Sequence, residues 1–255
     1  MTNEGIVIGG GASIKEGLAL GLKDHIKNRF VIATNYSFLH FDNTFTSFID
    51  KDFYCPSASA IAAGTYKDYT EELKKVSLIV GINKTFKSTD KILDNTILLK
   101  FTNIYNTDPI HKGFYLGEGS GGLTGIFAIS LAEFLINYKG ILYICGFDWN
   151  HRVENKVNRT TYTPYDKTTD THYYSDSEIH HRGQHWLSFY ERHQADGYFL
   201  KFIKNNLKIY NVSPLSNINC FEKINYEKMF ELLSKEEINQ EELRTEIKEK
   251  LKCIK

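Results

Sequence analysis

The chain has 255 residues, enough for one large domain or two small ones. Its content of 42% hydrophobic and 24% charged residues is that of an ordinary globular protein with a sizeable core. Lysine plus arginine balance aspartate plus glutamate at 31 each, so the formal charge is zero and no broad nucleic-acid-binding surface is indicated. The opening residues MTNEGIVIGGG lack the basic stretch and long apolar run of a signal peptide. No segment approaches the ~18 apolar residues of a membrane span. Cys55, Cys145, Cys220 and Cys253 are scattered without a CxxC pair, which predicts reduced thiols in a cytoplasmic protein.

From the N-terminus, Gly5 to Ile8 reads as a short apolar strand that runs into Gly9-Gly10-Gly11-Ala12-Ser13. Ile14 to Ile26 follows with the apolar spacing of an amphipathic helix. Strand, glycine turn and helix make the opening unit of a nucleotide-binding α/β fold: the glycines admit a phosphate or ribose, and Ser13 can cap the helix or donate a hydrogen bond. The spacing is not GxGxxG, because Ile14 stands where the third glycine would fall, so a dinucleotide site is not specified. Arg29 to Asn35 and Thr46 to Asp50 read as two more strands, ending in Asn35 and Asp50. An amide and an acid at strand ends suit a base or ribose, and they equally suit turn formation.

Ser57 to Lys75 has a helical pattern broken at Gly64, Val76 to Ile82 and Thr96 to Phe101 read as strands, and Asp108-Pro109 marks a turn in a loop-like stretch. Gly119-Ser120-Gly121-Gly122 is a second small-residue turn, followed by a helix from Leu123 to Tyr138 and a buried strand from Ile141 to Phe147. Asp148 stands where that strand ends, at the rim where open α/β sheets place ligands.

Beyond Asp148 the chain turns polar, with almost no aliphatic residues from His151 to Ser177 but with Tyr162, Tyr165, Tyr173 and Tyr174. A polar loop of this length carrying aromatic hydroxyls reads as a substrate lid, over about residues 150–182. His180, His181 and His185 follow in HHxxxH spacing, near Asp176 and Glu178. Histidine and carboxylate together suit a metal, yet HExxH is absent; a histidine that titrates near neutrality suits a general base, and no metal ligand is assigned. Trp186 to Lys204 then reads as a helix and Leu207 to Val212 as a late strand. Lys223 to Lys255 reads as a charged helical tail with a capping box at Ser234 to Glu237 and a thin apolar seam of Leu243, Ile247, Leu251 and Ile254. That tail either packs on the domain or pairs with another copy of the chain. The organisation is one Rossmann-like α/β domain of mostly parallel strands, residues 1–222, followed by the helical tail, residues 223–255.

Three stretches together resemble the bacterial sialyltransferases of glycosyltransferase family 42 and the related domain of unknown function 115 family, which includes archaeal 6-hydroxymethylpterin pyrophosphokinases and flagellin-modifying motility accessory factors. They are Val7 to Glu16, similar to an opening with Gly-Asn-Gly-Pro-Ser; Gly119-Ser120-Gly121 through Gly146-Phe147-Asp148, similar to Thr-Ser-Gly, helix and strand ending Gly-Ile-Asp; and Ile209 to Ser216, like the final strand and turn. The resemblance implies that Gly9, Gly10, Gly11 and Ser13 meet a nucleotide phosphate or ribose, and that Asn35, Asp50, Gly119, Ser120, Gly121 and Asp148 line the same donor site. It further implies lid tyrosines, here Tyr162 and Tyr165, at the departing phosphate, and a histidine base, here His185 first and His181 second. Gly10, Ala12, Gly119 and Asp50 depart from the family's asparagine, proline, threonine and asparagine. The added acid at Asp50 repels a sugar carboxylate and leaves room for a nucleotide sugar other than a sialic acid donor. The expected activity is metal-independent sugar transfer from a nucleotide donor, bound as substrate, to a glycan or other hydroxyl acceptor, with no cofactor required. The alternatives are magnesium-dependent pyrophosphoryl transfer to a pterin-like substrate, with Asp50, Asp52 and Asp148 as acids, and a non-catalytic nucleotide-binding or assembly protein with the helical tail as its interface.

Overall fold

The computed structural model describes residues 2–62, 67–83, 86, 90–102, 108–115, 124–148, 199, 206–216 and 218–254. Among them, β1 (Glu4–Ile8) lies between β8 (Lys139–Cys145) and β2 (Val31–Thr34), in register Ile6 to Tyr143 on one side and Ile6 to Val31 on the other. The sheet continues through β3 (Phe45–Ser47), β4 (Ile79–Ile82) and β5 (Thr96–Leu99) on one flank, and through β9 (Asn206–Val212) and β10 (Glu222–Lys223) on the other. Every pairing is parallel. The apolar runs of the sequence are therefore strands covered on both faces, as parallel sheets require. This is the expected Rossmann-like α/β architecture.

Alternation along β1 sends Val7 to one face and Ile6 and Ile8 to the other. The first face is covered by α7 (Thr124–Leu135), whose residues are apolar nearly all round and buried on all sides. The second face is covered by α1 (Ile14–Ala19) and α2 (Leu22–Ile26), together with α3 (Lys51–Tyr54) and α5 (Thr70–Leu73) past β3, the short α4 (Ala58–Ala62) lying between these two in the chain. The single helix expected over Ile14 to Ile26 is two, because Gly21 adopts φ +83° and breaks the ladder. Asp108-Pro109 opens a short helix, α6 (Pro109–Lys112), where Asp108 accepts from the His111 N–H and proline occupies the first turn. Two-residue strands β6 (Phe101–Thr102) and β7 (Phe114–Tyr115) flank it and pair with each other.

The C-terminal segment is not one helix and not an appendage. After β10, α8 (Tyr226–Leu232) packs on the second face through Tyr226 and Met229, and α9 (Gln240–Leu251) packs on the first through Leu243, Ile247 and Leu251, all buried. The stretch between them crosses the amino-terminal ends of the strands: Ser234 N–H donates to Glu4 and Ile238 N–H to the Asn28 carbonyl, while Gln240 and Arg244 bond the Arg29 and Thr44 carbonyls. The capping box expected at Ser234 to Glu237 does not form. Asn239 caps α9 instead, its side chain accepting from the Glu241 and Glu242 N–H groups, because the Ser234 N–H is held by Glu4 at the amino-terminal end of β1. The apolar seam, complete with Ile254, is spent inside the chain, which removes it as a surface for a second copy. Lys250 reaches the carbonyls of Phe134 and Leu135 and so closes the C-terminus of α7, where a cation is favoured by the helix dipole. No helix among the described residues is long and apolar enough to cross a membrane, and the four cysteines carry free thiols.

Candidate functional site

The sheet's strand order reverses between β1 and β8: the chain leaves β1 towards β2 on one side, and β8 and β9 lie on the other. Open α/β sheets hold ligands outside the carboxyl ends of the strands at such a reversal. Here that position is bounded by Gly9 to Ser13 after β1 and Gly146 to Asp148 after β8. Each lip is fastened to the other. Gly9 N–H donates to the Cys145 carbonyl at 2.7 Å and Gly11 N–H to the Gly146 carbonyl at 2.8 Å, with Gly146 at φ +71°. A methyl group on Gly9 would lie 2.6 Å from the Gly146 carbonyl oxygen, and one on Gly11 would lie 2.6 Å from an Asp148 carboxylate oxygen. Both glycines are thus demanded by the closeness of the two strand ends.

Asp148 is 7% exposed and sits at the centre of this junction. Its carboxylate accepts the Ser13 backbone N–H at 2.8 Å, the Ser13 hydroxyl in a short bond, and the Ser213 hydroxyl at 2.8 Å. The carboxylate therefore ties the ends of β1, β8 and β9 together. Ser13 precedes α1 but does not cap it with its side chain: its backbone is helical (φ −58°, ψ −20°), whereas a capping hydroxyl reaches its own helix from an extended backbone. The hydroxyl turns to Asp148 instead. Gly17, one turn further on, leaves room for the ring of Tyr226 from α8, whose phenol is pushed far up by burial, with Cys145 and Asp148 adding to the effect.

Across β1, the Thr34 hydroxyl donates to the Ile8 carbonyl at 2.9 Å and the Ser37 hydroxyl to the Gly9 carbonyl at 3.1 Å, which fixes the end of β2 beside the glycine turn. Asn35 stands between them with φ +47°, a left-handed conformation that asparagine tolerates better than most residues. Its side-chain oxygen is shut off from solvent and accepts no hydrogen bond among the described residues. Asp50 lies past the end of β3, near enough to Tyr36 that its charge joins burial and Tyr69 in raising that phenol. The neighbouring Lys51 is paired with Asp90 at 2.7 Å. On the far flank, Asn211 near the end of β9 is fully buried; its amide donates weakly to the Phe147 carbonyl at 3.4 Å, while its side-chain oxygen accepts nothing among the described residues. The Ser216 hydroxyl donates to the same carbonyl at 2.7 Å.

The structure thus brings Gly9, Gly10, Gly11, Ser13 and Asp148 to one junction, with Asn35 one strand away and Asp50 two. Gly119, Ser120, Gly121, Tyr162, Tyr165, His181 and His185 lie outside the described residues. Sequence reading missed Ser213, Ser216, Asn211 and Tyr226. Ser213-Pro214 reads locally as a strand terminator, and nothing in the spacing connects it to an aspartate 65 positions earlier. No family model, curated protein or solved structure matches this chain.

Proposed function

We propose that this protein is a glycosyltransferase that moves a sugar from a nucleotide donor to a hydroxyl acceptor. The observation that carries the reading is the reversal of strand order between β1 and β8, with a glycine turn on one lip and, one strand away, the buried oxygen of Asn35, which accepts no hydrogen bond among the described residues. In this reading the nucleoside lies across the ends of β1 and β2. His185, or failing it His181, removes the acceptor proton while the acceptor oxygen bonds to the anomeric carbon. The bond from that carbon to the phosphate oxygen breaks, the electron pair leaves with the phosphate, and Tyr162 and Tyr165 donate hydrogen bonds to it.

Pyrophosphoryl transfer with magnesium is served less well, since Asp148 already gives its carboxylate to three intrachain donors. A thermal-shift screen against CMP-, UDP-, GDP- and ADP-sugars and ATP, each with and without magnesium, tests the proposal, followed by a turnover assay on whichever ligand stabilises. Stabilisation by one nucleotide sugar, with release of its nucleotide that falls by roughly 100-fold or more in His185→Ala, supports it. Magnesium-dependent consumption of ATP alone refutes it in favour of the pyrophosphokinase, and binding without turnover refutes it in favour of a nucleotide-binding protein.

A further inference from the structure

We infer that the Gly9–Ser13 junction rejects phosphate and takes an uncharged, hydroxyl- or amine-bearing part of its ligand, with Asp148 as the residue that sets this preference. The inference rests on the nucleotide reading above and assigns which end of the nucleotide meets the turn: ribose or base, not phosphate.

A phosphate cradle needs several backbone N–H groups converging on one point. Here three of the five in the turn, and the two that follow it, are already given away. Gly9 and Gly11 donate to Cys145 and Gly146, Ile14 and Lys15 donate back to Gly11 and Ala12, and Ser13 donates to Asp148. The Asp148 carboxylate thereby fills the place an anion would take and brings its own negative charge. A phosphate set beside it would face like-charge repulsion strengthened by burial, with only the Gly10 and Ala12 N–H groups of the turn left to offset it.

An acceptor is left along the same edge. The Asn35 oxygen, one strand away, is buried and accepts no hydrogen bond among the described residues. Ribose hydroxyls and the exocyclic amine of a base supply the donors this edge needs, whereas phosphate oxygens supply none.

Amide chemical shifts of Gly11, Ser13 and Asn35 provide the test, with inorganic pyrophosphate and the free nucleosides cytidine, uridine, adenosine and guanosine as probes. In the native protein at least one nucleoside should shift these signals, and pyrophosphate should not. Asp148→Asn keeps the shape of the side chain and can still accept from the Ser13 N–H, but it removes the charge. In that variant pyrophosphate should bind at these amides at least ~10-fold more tightly than in the native protein. Pyrophosphate shifting Gly11 and Ser13 in the native chain, no nucleoside shifting them, or no gain of pyrophosphate binding in a folded Asp148→Asn would each overturn the inference. If Asp148→Asn does not fold, the comparison of pyrophosphate with nucleosides on the native chain decides alone. Sugar transfer is assayed separately: nucleoside shifts without turnover leave this inference standing and remove the glycosyltransferase, while pyrophosphate at the turn with turnover intact does the reverse.

Discussion

Replacing Asp148 by alanine should destabilise the protein by about 3–5 kcal/mol. The figure follows from what the side chain holds. Three donors converge on one buried carboxylate: the Ser13 N–H and hydroxyl and the Ser213 hydroxyl. Hydrogen bonds to a charged acceptor are worth roughly 1.5–3 kcal/mol each, and a buried N–H left without a partner costs about 1–3 kcal/mol more. Against this, two hydroxyls can rotate to other acceptors, and the cost of keeping a carboxylate out of water disappears. For a chain of this size the loss corresponds to a drop in melting temperature of roughly 6–20 °C. Equilibrium urea unfolding of the native protein, Asp148→Ala, Ser213→Ala and the double variant gives both the total and the coupling. Ser213→Ala should cost about 1–2 kcal/mol in the native background and almost nothing once Asp148 is gone, a coupling of at least ~1 kcal/mol. A loss below about 1 kcal/mol for Asp148→Ala, or strict additivity of the two changes, would show that the junction is not held by this carboxylate.

Gly17→Ala sets two effects against each other. An added methyl group lies 2.5 Å from the Tyr226 ring, an overpacking worth about 1–3 kcal/mol, and alanine returns at most ~1 kcal/mol of helix propensity. Net destabilisation, partly relieved by Tyr226→Leu, is expected in thermal unfolding; a more stable Gly17→Ala contradicts the packing. Glu4 is raised above the ordinary carboxylate range mainly by burial, with the Ser234 N–H and Arg29 pulling the other way. The folded chain therefore holds this proton more tightly than the unfolded chain, and the contribution of Glu4 to stability is lost as pH rises from the unfolded carboxylate pKa through the folded one. The stability of Glu4→Gln minus that of the native protein should accordingly rise over that window; a flat or falling difference in urea midpoints contradicts the direction. Ile247→Ala in α9 should cost about 2–5 kcal/mol without changing the sedimentation of the protein, whereas dissociation of an oligomer with little loss of stability would make that seam an interface.

The central strands β1, β2, β4 and β8 were legible because each is a short apolar run closed by a glycine or an asparagine, and because parallel strands buried on both faces have no polar alternation to obscure them; β10, only Glu222 and Lys223, carries no such signal. The position of Gly9–Ser13 and Asp148 followed from the same pattern. The tail was read less well. Its charged residues hide a four-residue seam, and two cap signals compete within six positions, Ser234 and Asn239; a contact made only in the fold, Ser234 to Glu4, decides between them. Gly21 sits inside an apolar pattern that predicts one helix, and a backbone of positive φ is not written in periodicity. Ser213, Asn211 and Tyr226 are brought to the junction by β9 and α8, so only three-dimensional proximity makes them part of it.

Glycine after a strand has two physical explanations, and they differ in what a Cβ atom would strike. If a ligand needs the space, the atom meets nothing of the chain; if the chain needs it, the atom meets the chain. At Gly9 and Gly11 it meets the Gly146 carbonyl and the Asp148 carboxylate. These two glycines are accounted for by the joining of β1 to β8, and neither requires a phosphate. What the joining does not account for is Asn35, which holds a left-handed backbone and a buried acceptor at the end of β2, one strand from where the strand order reverses. A buried acceptor without a donor costs on the order of 1–3 kcal/mol, and a hydrogen-bond donor from a ligand is the simplest way to recover it. The asparagine, more than the glycines, therefore points to a ligand at this edge, one that donates hydrogen bonds.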